Sequence, residues 1–251
     1  MKVSPKSTIA AIVKAHPASA RVFESHRIDY CCGGGQALEV ACAARGLDLA
    51  AVVQDLERVL GAPAEEAPPD SLPTPALIDR IVRVHHGYLR EVLPVLEARA
   101  AKVARVHGGK DARLEELDAT VRDLTWLLLR HLDDEEQRLF PGILALPGQS
   151  AADDAHDGCC GGGCDAGEAS GALELELAGM EREHEAVAAL LERTARLTDG
   201  HTPPPWACTT YRVLLADLAE VERDIHRHVF LENQVLAPRA RALLVGAGGG
   251  R

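Results

Sequence analysis

The sequence predicts an all-α protein, an up-down four-helix bundle preceded by a small helical module. Three observations predict it. Aromatic residues are only 3% of the 251-residue chain and Ala, Leu and Val dominate, which favours helix packed on helix over sheet. Four long stretches carry apolar residues three or four apart, the spacing of a buried helical stripe. Between the first 60 residues and these stretches runs "GAPAEEAPPDSLPTP", whose Pro and acidic residues mark a linker at 61–74.

In the N-terminal module, residues 1–60, Ser7 and Thr8 offer caps for a first short helix that Pro17 stops. A second helix is expected at about 18–26. "QALEVACAARGLDLAAVVQDLERVL" reads as one or two helices with a break near Gly46. Thr74 followed by Pro75 opens the bundle, as an N-cap with Pro in the first turn. The bundle spans 75–245, with helices at roughly 75–105, 112–145, 172–198 and 206–243. "TPPPWACTT" joins the third and fourth. A Gly- and Cys-rich insertion, 147–171, separates the second and third and contains Cys159, Cys160 and Cys164.

Several function classes are disfavoured. A net charge of −11 lacks the basic footprint of a nucleic-acid binder. No apolar run approaches the ~18 residues of a membrane span. The N-terminal apolar stretch is short and holds Lys14, unlike a signal peptide, so the expected location is cytoplasmic. Five of the seven cysteines fall in two tight clusters, which in a reducing compartment read as metal, redox or catalytic thiols.

An internal repeat carries the chemistry. "HLDDEEQRLFP" (131–141) and "HVFLENQVLAP" (228–238) share the pattern His-x-x-x-Glu-x-Gln-x-Leu-x-Pro. His86 stands as far before His131 as His184 does before His228, to within one residue. All six continue apolar stripes: Val82, His86, Leu89 on the first helix; Leu128, His131, Glu135 on the second; Met180, His184, Val187 on the third; Ile225, His228, Glu232 on the fourth. A lone histidine on such a stripe is more often a packed core residue. Six, in two matching sets, point to ligation instead. Buried alone they would cost several kcal/mol each, roughly, and a metal removes that cost. His and Glu one turn apart reach one ion or two neighbouring ions. Two carboxylates bridging two metals, with two imidazoles on each, leave positions open for a small ligand, and the donor set suits iron. His85 competes with His86, but the repeat spacing favours His86. His226 fits neither stripe nor repeat.

With these motifs in hand, the bundle resembles hemerythrin-like domains, and nearly the whole chain is similar to the repair of iron centres family. "DYCCGGG", "EREHE", "TPPPWACTTY" and "HVFLENQVLAPRA" carry the likeness. The resemblance implies two iron ions in an oxo-bridged di-iron centre. His86, His131, His184 and His228 would be terminal ligands, and Glu135 and Glu232 bridging carboxylates. It further implies repair of iron–sulfur clusters damaged by oxidative or nitrosative stress, with damaged iron–sulfur proteins as partners and nitric oxide or dioxygen as small ligands. A homodimer is compatible with it. His85 stands where the family commonly has Tyr, and the insertion 147–171 is longer than expected.

In "DYCCGGGQ", Cys31 and Cys32 are the candidate catalytic thiols. Adjacent cysteines bridge each other poorly, and the glycines let the backbone approach a partner. Were Gln36 to open a helix, its amides would favour thiolate. Cys42 and Cys208 receive no role. The residues leave open an iron donor, a nitric oxide reductase and a gas or redox sensor. Whether the centre turns over as an enzyme is not decided by sequence. A ferritin-like oxidase fits less well, since those sites use Glu-x-x-His and more carboxylate.

Overall fold

The computed structural model describes residues 3–60, 68–146 and 166–248. Cys159, Cys160 and Cys164 lie outside them. Helix α1 (Ile9–Ala15) starts at Thr8, whose Oγ1 accepts the Ala11 amide at 3.2 Å. A 3-10 turn at Pro17–Ser19 leads into α2 (Ala20–Ser25). Helices α3 (Leu38–Ala44) and α4 (Leu49–Leu60) are separated at Gly46, whose φ of 64° lies in the left-handed region that glycine adopts without a Cβ clash. Ile9, Phe23, Leu38 and Leu56 close a small core.

Four rods follow. The first joins α5 (Thr74–Arg80), the π-turn π1 (Ile81–His86) and α6 (Gly87–His107). The second joins α7 (Arg113–Asp134), π2 (Glu135–Leu139) and α8 (Phe140–Leu144). The third is α9 (Ala166–Leu197). The fourth joins α10 (Thr209–Phe230), π3 (Leu231–Leu236) and α11 (Ala237–Gly248). Helix α9 begins six residues before the expected 172, inside the stretch read as insertion. Ala166, Glu168 and Ala169 carry little or no helix penalty, so the added turns cost mainly about 1 kcal/mol for each nearby glycine.

Contacts divide the chain into two compact units, Met1–Leu77 with His226–Ala242 and Ile78–Ile225 with Leu243–Arg251. The cut falls inside α10, an unbroken helix. In the second unit α6 packs on α7 and α7 on α9. Leu93, Leu124, Leu177 and Leu218, one from each rod, are buried there. In the first unit, the described end of the linker is held in place. Pro69–Ser71 form a 3-10 turn, and the Arg239 guanidinium donates to the carbonyls of Leu72 (2.6 Å) and Asp70 (2.9 Å). No described helix is long and apolar enough to cross a membrane.

Candidate metal centre

The four histidines and two glutamates of the repeat are buried, each at most 2% exposed. They form two groups: His86, Glu135, His228 and Glu232; and His131, Glu135, His184 and Glu232. Within each group the candidate ligand atoms lie within 4.8 Å of one another. Glu135 and Glu232 belong to both. Glu135 Oε2 is 3.4 Å from His86 Nε2, and its Oε1 is 3.4 Å from His131 Nε2, so one carboxylate faces two imidazoles. Four residues apart across the start of π3, His228 Nε2 and Glu232 Oε1 meet at 2.7 Å.

Three of the four rods change winding at these residues. His86 closes π1, Glu135 opens π2 and Glu232 lies in π3. A π-turn takes an extra residue, which changes the phase of the side chains that follow, and such turns recur at functional sites.

Carboxylates outside the six orient the rings. His86 Nδ1 meets Glu136 Oε1 at 2.8 Å, and His131 Nδ1 meets Glu183 Oε2 at 2.9 Å. An ionised carboxylate only accepts, so each Nδ1 carries the proton and each Nε2 offers a lone pair to the interior. The hydrogen bond from His131, helped by Arg130, holds the Glu183 carboxyl down to about 2, against the upward push of burial. Phe140 stacks on the His86 ring at 5.7 Å. Sequence reasoning missed Glu136 and Glu183. The only signal was their place beside Glu135 and His184.

The donor set fits a metal. His131 Nε2 and His184 Nε2 are 3.1 Å apart. Two lone pairs at that distance repel unless a proton or cation lies between them, and 3.1 Å is what two neighbouring ligands at about 2.1 Å from one ion span. Imidazole nitrogen with carboxylate oxygen suits iron better than a metal that prefers sulfur. A cleft of about 230 Å³ reaches His131 and Glu135 between Arg138, Leu175 and Met180.

His85 is buried but turned elsewhere, its Nδ1 2.9 Å from Asp224 Oδ1. Half-buried His226 packs edge-on against Tyr30. Cys42 is buried in the module, while Cys208 is exposed with its sulfur 3.2 Å from His107 Nε2.

The thiol loop departs from expectation. Cys31 is buried and Cys32 half-buried. No helix opens at Gln36: its amide donates to the Gly33 carbonyl, and α3 starts at Leu38. Asp29 organises the loop instead. Its Oδ1 accepts from the amides of Cys31 and Cys32, both at 3.0 Å, and from the Cys31 thiol at 3.2 Å; its Oδ2 accepts the Gly33 amide at 2.8 Å. The Cys31 thiol is pushed well above its ordinary range by its contact with Cys32, by burial and by Asp29. The thiolate expectation is therefore wrong for Cys31. Asp29, Cys31 and Cys32 still form a compact group of donors.

Family models and curated relatives match nearly the whole chain. A domain of unknown function, ScdA_N, matches residues 5–60. The hemerythrin HHE cation binding domain matches residues 77–158 and 165–240. The iron-sulfur cluster repair protein YtfE of Yersinia pseudotuberculosis serotype IB (strain PB1/+) is 34% identical over 93% of this chain and 96% of its own length. The protein of the same name from Yersinia pestis (strain Pestoides F) matches at the same identity and coverage. A small N-terminal domain, a cation-binding helical bundle and this likeness over nearly the full length place the chain in the family of the YtfE iron-sulfur cluster repair proteins.

Proposed function

We propose that this protein repairs iron–sulfur clusters damaged by oxidative or nitrosative stress. In this reading two irons are held by His86, His131, His184 and His228 as terminal ligands and by Glu135 and Glu232 as bridges. The observation that carries it is the pair of four-donor groups sharing those two carboxylates. Bound there, iron supplies open coordination positions for nitric oxide or dioxygen and a store for donation. The chain's own residues do the rest. Glu136 and Glu183 keep the Nδ1 protons in place, so His86 and His131 present Nε2 inward. Both rings are buried, and a surrounding less polar than water strengthens each charged contact.

Cys31 and Cys32 are assigned to the meeting with the damaged client. The protonated Cys31 and the more accessible Cys32 make Cys32 the first thiol to engage. A cytoplasmic setting suits this, since all four described cysteines are free thiols. Serine at both positions is expected to leave the iron content unchanged while abolishing restoration of a damaged client cluster. Full repair by the double variant would overturn this division of labour. The cleft reaching His131 and Glu135 favours a second reading, reduction of nitric oxide at the centre. Nitric oxide turnover with a reductant, without iron transfer to an apo-protein, would select it.

A further inference from the structure

The thiol loop and Glu232 are fastened to each other within the first unit. On π3, Asn233 and Gln234 directly follow Glu232. Gln234 Nε2 donates to the Cys31 carbonyl at 2.8 Å, and Asn233 Nδ2 lies 3.7 Å from Cys32 Sγ. On the other side of Glu232, the Phe230 ring packs against buried Tyr30 at 5.7 Å. Tyr30 hydroxyl and Arg227 Nε both donate to Glu24 Oε1, at 3.0 and 3.3 Å. Loop residues 30 and 31 thus grip the fourth rod on both sides of Glu232.

We propose that Gln234 is a positioning residue that couples the Cys31–Cys32 loop to the Glu232 carboxylate, so that metal occupancy at Glu232 and access to the Cys32 thiol change together. This deepens the repair reading and rests on Glu232 being a metal ligand. The physical basis is the shared backbone of π3. A π-turn is a rare winding that recurs as a single turn at functional sites. Metal at Glu232 holds that winding, and the Gln234 amide transmits the hold to the Cys31 carbonyl. Without metal, π3 moves more freely and the loop with it. A coupling of the ordinary size changes one site by about fivefold or more when the other is filled. The device would present Cys32 most readily after iron has left and close it once iron is bound.

The test compares iodoacetamide alkylation of Cys32, followed by peptide mass spectrometry, in the metal-free and iron-loaded full-length protein. Wild type is expected to react about fivefold faster without iron. In Gln234→Leu, which removes the donor, and in Gln234→Glu, which keeps the size but cannot donate when ionised, the two rates should converge. The absorption of the loaded centre should shift when Cys32 is alkylated in wild type and not in these variants, a signature that loss of packing alone would not give. Equal rates in wild type with and without iron overturn the coupling while leaving the metal centre standing. An unchanged rate ratio in both variants overturns the role of Gln234. A wild-type chain that takes up no iron sinks the metal reading, and the coupling with it.

Discussion

Glu135 presents one oxygen to His86 and the other to His131, and Glu183 presents one oxygen to the back of His131. The two carboxylates should therefore fail differently. Glu135→Ala removes a donor common to both groups and should abolish stable loading of either ion, read as metal per chain after desalting. Glu183→Ala leaves all six donors but frees the His131 ring, and should weaken metal affinity by about 10- to 100-fold in chelator competition. Equal losses would remove the distinction between ligand and orienter. At this scale the burial and convergence of the six side chains were legible because the repeat set them in matched pairs on apolar stripes. Glu183 was not: in "EREHE" it stands among Glu181 and Glu185, and only the approach of α7 to α9 selects it. The state of Cys31 was misread for the same reason, since sequence shows neither its burial nor the turn of the Asp29 carboxylate onto its thiol.

The glycines of the thiol loop are unequal as parts of an element. A Cβ on Gly34 would stand 2.4 Å from the Tyr30 carbonyl oxygen, a backbone atom that cannot step aside, whereas a Cβ on Gly35 meets nothing within 4 Å. Gly34→Ala should disorder the loop and speed alkylation of Cys31 and Cys32, while Gly35→Ala should leave their rates within about twofold of wild type; comparable effects would contradict this account of the loop. Helix boundaries in the module were readable from Thr8, Pro17 and Gly46, because caps and breakers act locally. The three π-turns were not, because apolar spacing of three or four tolerates one extra residue without losing its stripe. Those turns nonetheless bear His86, Glu135 and Glu232.

Across the whole molecule, burial of leucine and burial of charged donors pull in opposite directions. Leu124 is fully buried, and Leu124→Ala should cost about 2–5 kcal/mol, seen as a lower midpoint in urea. The six buried donors act the other way until a metal joins them. Loading at a hundred times the dissociation constant should add about 2.7 kcal/mol and raise the melting temperature, and a chelator should reverse it. The bundle and its module were legible from composition, stripes and linker. The division into units was not, because residues 226–242 are bundle by sequence yet compact with residues 1–77, through side chains such as Gln234 and Arg239. The repair reading stands on the proposed sharing of two ions by Glu135 and Glu232. Metal analysis with an absorption spectrum of the purified chain tests it most directly. Two irons per chain with oxo-bridge charge-transfer bands, both lost in Glu135→Ala, are the predicted result; a chain that holds no iron after exposure to ferrous salt would contradict it.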